Sequence, residues 1–218
     1  MREVAPGVWQ LTTAVPNLIN CYLAGDVLID AGSRRMAGGM LRQLRGRTVR
    51  EVALTHTHPD HQGGAHEICS TLGVPLACPA GEVGRMEGRE VLPAASWYAK
   101  LVKATFAGPP HPVGRPLAEG DMAGGFAVYS TPGHSADHVV FFRESDGVAI
   151  VGDAVDGLNI LTGLPGLNRP PDLVNEVPSL VNDAIRKVAE LRPRVVCFGH
   201  GPVLTRPERF QAFAALLP

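Results

Sequence analysis

The chain reads as an α/β layer protein, and three features of its 218 residues carry that reading. Short β-branched or apolar runs, each bounded by turn-forming residues, recur along it as strands do. Helix-like stretches alternate with those runs, a mixture that covers sheet faces with helices. The composition, 45% hydrophobic and 19% charged, supports a sizeable core and is too apolar for a disordered chain despite 25 Gly and 19 Pro.

Taken in order, strands are expected at 8–11 (VWQL), 20–24 (NCYLA), 27–30 (VLID), 49–54 (VREVAL) and 74–77 (VPLA). Four more are expected at 126–130 (FAVYS), 138–143 (HVVFFR), 148–151 (VAIV) and 195–198 (VVCF). Helices are expected at 34–45, 64–72, 94–106 and 179–191. In the last of these, Leu180, Ala184, Ile185, Val188 and Leu191 give the spacing of one buried face. Segments 80–112, with Trp97, Tyr98, Lys100, Lys103 and Phe106, and 155–173, around Leu161, Leu164 and Leu167, read as loop or lid material or as plain surface connections. A faint echo links Val27-Leu28-Ile29-Asp30-Ala31 to Ile150-Val151-Gly152-Asp153-Ala154, and the run before His56 to the run before His200. Two similar halves facing one another would produce it. Residues 1–218 are expected to form a single domain.

Charge and targeting signals exclude some functions. With 20 Lys+Arg against 21 Asp+Glu the net charge is −1, which gives no basic field to attract nucleic acid or anionic lipid. The chain has neither the apolar core of a secretory signal nor 18 consecutive apolar residues, so a cytoplasmic, unanchored protein is expected. Cys21, Cys69, Cys78 and Cys197 form no C-x-x-C pair and read as free thiols.

The chemistry concentrates in histidine. After the run ending at Leu54 comes Thr55-His56-Thr57-His58-Pro59-Asp60-His61-Gln62-Gly63-Gly64, an H-x-H-x-D-H cluster. Imidazoles with a carboxylate form the ligand set of catalytic zinc or non-haem iron, whereas structural zinc sites commonly use cysteine. Two further histidines follow strands, in Thr131-Pro132-Gly133-His134-Ser135 and Gly199-His200-Gly201, and Asp153 follows a third in Gly152-Asp153-Ala154. Taken singly, each of these three is commonly a turn or capping residue. Together, four strand-end loops carrying His and Asp describe one shared site at a sheet edge.

On these motifs, and on Leu18-Ile19-Asn20-Cys21-Tyr22-Leu23 and Leu28-Ile29-Asp30-Ala31-Gly32, the chain resembles the metallo-β-lactamase superfamily, in its hydroxyacylglutathione hydrolase-like (glyoxalase II-like) and lactonase-like branch. The resemblance implies a four-layer αββα sandwich of α and β elements with a dinuclear centre. His56, His58 and His134 would hold one divalent ion and Asp60, His61 and His200 the other, with Asp153 bridging. Zinc is the expected metal, with iron or manganese possible. The centre would carry a formal charge of about +1 once two cations, two aspartates and a bridging hydroxide are counted. The hydroxide would attack a metal-polarised carbonyl, with Asp60 managing the proton. Asp30 either orients an imidazole from behind or serves a turn. His66, His111 and His138 belong to no motif and read as surface or core histidines.

The resemblance narrows the function to a hydrolase of a small ester, thioester or lactone. β-Lactamases of the superfamily generally lack the bridging aspartate, so Asp153 points away from antibiotics. Glyoxalase II carries a longer helical region after the last histidine, where this chain has 18 residues, so glutathione thioesters are disfavoured. The alternatives are a mononuclear iron enzyme similar to the persulfide dioxygenases, which use two His and one Asp, and a non-catalytic metal-binding sensor. A small-molecule partner is expected.

Overall fold

A computed structural model describes residues 1–90 and 104–218. Alternation along the strands explains the layering. In Val139–Arg143 and Val148–Gly152, residues Val139, Phe141, Val148 and Ile150 face one buried cluster while Val140, Phe142, Ala149 and Val151 face another. A strand apolar on both faces must be covered on both sides.

Seven strands form the first sheet: β1 (Arg2–Ala5), β2 (Val8–Gln10), β3 (Tyr22–Ala24), β4 (Val27–Ile29), β5 (Glu51–Ala53), β6 (Leu76–Pro79) and β7 (Arg115–Leu117), in that order. The first four are antiparallel neighbours, whereas β4 through β7 run parallel. The second sheet contains β8 (Met122–Ala123), β9 (Phe126–Ser130), β10 (Val139–Arg143), β11 (Val148–Gly152) and β14 (Val195–Phe198), in the order β14-β11-β10-β9-β8, with β11 and β14 parallel. Tyr22, Ile29 and Ala53 of one sheet pack with Phe126, Phe141 and Ile150 of the other.

Helices α1 (Ala37–Leu44) and α3 (Ala65–Leu72) cover the outer face of the first sheet, packing Met40, Leu44 and Ile68 on Leu28, Val52 and Leu54. Helices α5 (Val181–Glu190) and α6 (Pro207–Ala215) cover the second through Val181, Ile185, Val188 and Phe210. The order of layers is therefore αββα. Two short helices, α2 (Pro59–Gln62) and α4 (Val83–Met86), lie between strands of the first sheet in the chain.

The strands and helices expected from sequence within the described residues are present, with ends shifted by a few residues. The helix expected at 94–106 falls mostly outside the described residues, as do Trp97, Tyr98, Lys100 and Lys103. Segment 155–173, expected as loop or lid material or a surface connection, contains regular structure: β12 (Asp156–Leu158) and β13 (Pro165–Asn168) form an antiparallel hairpin whose turn exposes Leu161 and Leu164. Pro165 and three glycines hide it from a search for β-branched runs. Segment 80–112 likewise begins with a 3-10 turn at Ala80–Glu82 and then α4.

A candidate dinuclear metal centre

The proposed ligands gather where strand ends from the two sheets meet. Three sets of ligand atoms each fall within 4.8 Å of one another: His56, His58 and His134; His56, His61 and Asp153; and Asp60, His61 and His200. The motif supplies four of these side chains because Pro59 starts α2 directly after His58, which places Asp60 and His61 on its single turn. The other three arrive from the loops after β9, β11 and β14.

Close approach of the sheets depends on Gly152, whose φ of +48° is left-handed. A Cβ there would lie 2.6 Å from Thr55 Oγ1 and 2.9 Å from His138 Nε2. His138 is a buried core histidine, as read from sequence, yet its Nε2 accepts the Asp153 backbone N–H at 3.2 Å and so holds the strand end bearing that carboxylate.

Each of the five motif imidazoles is gripped from behind through one ring nitrogen. His61 Nδ1 donates to Asp30 Oδ2 at 2.9 Å, the orienting role sequence left open for Asp30. Asp30 adopts φ +60° and also accepts the Thr55 N–H at 2.8 Å. Thr55 Oγ1 lies 3.0 Å from His56 Nδ1, and the Leu18 carbonyl accepts from His200 Nδ1. His134 Nδ1 meets Asn175 Oδ1 at 3.0 Å, and His58 Nε2 meets Glu176 Oε1 at 3.2 Å.

With the outer nitrogens engaged, the inner ones face one another and the Asp153 and Asp60 carboxylates across the centre. His58 Nδ1 and His134 Nε2 stand 2.8 Å apart. Asp153 Oδ2 lies 3.3 Å from His61 Nε2, 3.4 Å from His134 Nε2 and 3.1 Å from His200 Nε2, while Asp60 Oδ2 lies 3.3 Å from His200 Nε2. His56 Nε2, His61 Nε2 and Asp153 Oδ1 are buried without a hydrogen-bond partner among the described residues. Lone pairs converging in a buried site repel unless a proton or a cation sits between them. The residues present therefore fit a metal centre.

Ionisation follows the same geometry. Burial, then the neighbouring His61 and His58, hold His56 well below the usual imidazole range, and burial with His58 takes His134 down to about 4. Burial also opposes charge on His61 and His200, but the Asp153 carboxylate outweighs it and raises both well above that range. Asp153 in turn is drawn well below the carboxylate range, because His200 and His61 overcome the cost of burying it. Asp60 is lowered similarly, burial being outweighed by its His200 hydrogen bond.

Sequence reasoning missed the supporting residues. Fully buried Glu82 accepts the Thr57 N–H and hydroxyl, both at 2.6 Å, and the Ser135 hydroxyl, so it ties the motif loop to the His134 loop. Arg85 binds both oxygens of Glu176, at 2.6 and 2.9 Å. Burial would raise the Glu176 pKa, yet His58 and Arg85 bring it to about 2. Isolated acids and amides in turn-rich sequence carry no spacing signal; only Asp30 had one, through the echo with Asp153. His66 and His111 lie outside the centre, paired with each other at 3.4 Å.

Fold and site together define an αββα protein with a buried His/Asp centre of metal-binding chemistry. The profile of the "Metallo-beta-lactamase superfamily" matches residues 14–200, and the chain belongs to that superfamily. It is 28% identical to the "Probable metallo-hydrolase YflN" of Bacillus subtilis, over 93% of this chain and 87% of that protein. A "Hydroxyacylglutathione hydrolase" of Cereibacter sphaeroides is 26% identical over 75% of this chain and 54% of its own length. The crystal structure of TTHA1623 "in a di-iron-bound form" superposes with a TM-score of 0.67 at 30% identity, covering 90% of this chain and 94% of that one. Divalent-metal binding and metallo-hydrolase chemistry are properties of the superfamily. Among the described residues, no helix is long and apolar enough to cross a membrane.

Proposed function

We propose that residues 1–218 act as one dinuclear metal-dependent hydrolase of a small ester, thioester or lactone. The observation that carries this is the convergence of His56, His58, Asp60, His61, His134, Asp153 and His200, with each imidazole fixed through its other nitrogen. Two divalent cations, zinc by preference and iron as an alternative suggested by the di-iron form of TTHA1623, would supply Lewis acidity toward a carbonyl and lower the pKa of bound water. His56, His58 and His134 would hold the first cation and Asp60, His61 and His200 the second.

Asp153 would serve both, because its Oδ2 faces nitrogens of the two groups and its Oδ1 has no other partner among the described residues. Asp60 reaches the site from α2 and is only half-buried, so it would accept the proton released as the water attacks and return it to the departing alcohol or thiol. Asp30, Thr55 and His138 hold these groups in place. Elemental analysis of purified protein, coupled to an ester, thioester and lactone panel, tests the proposal. Two metal ions per chain with hydrolysis of at least one class is expected; two ions with no hydrolysis across the panel defeats it. One iron per chain with oxygen uptake on a persulfide replaces it with a dioxygenase.

A further inference from the structure

Segment 155–173 leads into a dipeptide, Asn175-Glu176, that lies against the first group of ligands. The Glu176 N–H bonds to the His134 carbonyl at 3.0 Å, and the Val177 N–H to the Gly133 carbonyl at 2.9 Å, so the dipeptide runs alongside the His134 loop. Asn175 Nδ2 donates to the Pro170 carbonyl at 2.9 Å, which leaves Oδ1 to accept from His134 Nδ1 at 3.0 Å. That bond places the proton on Nδ1 and the lone pair on Nε2.

Glu176 makes the opposite selection on His58. An ionised carboxylate only accepts, so its 3.2 Å contact with His58 Nε2 places the proton there and leaves the lone pair on Nδ1. Two adjacent residues therefore protonate different nitrogens on two rings, and the atoms left with lone pairs, His58 Nδ1 and His134 Nε2, are the pair 2.8 Å apart. Glu176 is itself fixed by Arg85 of α4 at 2.6 and 2.9 Å and by the Ala136 N–H at 3.1 Å. Bidentate pairing of this kind sets direction as well as distance.

Resting on the dinuclear reading, we propose that Glu176, anchored by Arg85, is a positioning residue that commits His58 to bind through Nδ1 and thereby sets the affinity of the first cation selectively. Selectivity follows from the contacts: His61 and His200 are oriented by Asp30 and by the Leu18 carbonyl, neither of which Glu176 touches. Arg85 balances the charge of Glu176, so the effect is on tautomer and ring angle, with no net charge added. The same contacts tie the chain following the β12–β13 hairpin to the first group, so this segment and the first cation are held by one carboxylate.

The test is a cobalt(II) titration of the metal-stripped full chain, comparing wild type with Glu176→Ala and Glu176→Gln. The two sites are assigned with His134→Ala and Asp60→Ala references. Loss of an orienting partner costs about 10–100-fold in metal affinity. Glu176→Ala is expected to lose that much at the first site and nothing at the second. Glu176→Gln keeps an acceptor oxygen and should recover part of the loss. Nitrogen-15 NMR of the zinc-free chain adds a readout independent of loading: His58 should pass from one tautomer to a mixture in Glu176→Ala, with thermal unfolding as the folding control. Should the alanine variant not fold, the glutamine variant carries the same two readouts.

Equal loss at both sites, no loss at either, or an unchanged His58 tautomer overturns the role of Glu176. A wild-type chain that takes up no cobalt instead overturns the dinuclear reading beneath it.

Discussion

In the first half of the chain β4 runs parallel to β5, with Asp30 after the first strand and Thr55-His56 shortly after the second. In the second half β11 runs parallel to β14, with Asp153 after the first strand and Gly199-His200 after the second. The two aspartates thus occupy corresponding places, and both touch His61, Asp30 at Nδ1 and Asp153 at Nε2. Their surroundings differ. Asp30 is met by N–H and O–H donors, from Thr55 and His61, that satisfy it within the protein. Asp153 has one oxygen with no partner among the described residues and the other facing three imidazole nitrogens. A buried carboxylate satisfied by donors orients a neighbour. One aimed at lone pairs is completed by a cation.

Asp153→Ala should weaken both cations together and lower activity by at least about 10²–10³-fold, the scale of removing one preorganised electrostatic contact at a reacting centre. His134→Ala should leave one ion per chain. Metal analysis after dialysis reads both variants. Two tightly held ions in Asp153→Ala would remove the bridging assignment.

Acid should separate the two groups of ligands. His61 and His200 are raised by the Asp153 carboxylate despite their burial, so protons compete for their lone pairs from a higher pH. His56 is lowered by burial and His134 to about 4, so these two imidazoles resist protonation further into acid. As pH falls, the Asp60, His61 and His200 ion should therefore leave before the His56, His58 and His134 ion. Metal content measured after equilibration from pH 8 down to about 4 checks the order, which simultaneous release would contradict.

The sheets were legible because apolar strands such as 139–143 and 148–152 record both buried faces in their composition. The motif was legible because His56, His58, Asp60 and His61 sit close together in sequence, between positions 56 and 61, and because His134, Asp153 and His200 each follow a recognisable strand. The supporting groups were not. Glu82 is 25 positions from Thr57, Asn175 41 from His134, Glu176 118 from His58 and Arg85 91 from Glu176, a proximity set by tertiary packing alone. The β12–β13 hairpin escaped for a local reason, since Gly157, Gly163, Gly166 and Pro165 dilute its strand signal.

Asp30→Asn preserves shape and can still accept the Thr55 N–H, but it removes the charge and sets an amide against either Thr55 or His61 Nδ1. Left unmatched, a buried donor costs about 1–3 kcal/mol, so the variant should unfold at lower urea than wild type. His61 loses its tautomer preference at the same time, and the second cation should weaken by about 10–100-fold while the first holds, because His58 and His134 are oriented by other residues. Paired urea unfolding and cobalt titration measure the two losses separately. If Asp30→Asn released both ions as Asp153→Ala is expected to, the two carboxylates would share one role, and the distinction drawn from their hydrogen-bond partners would fail.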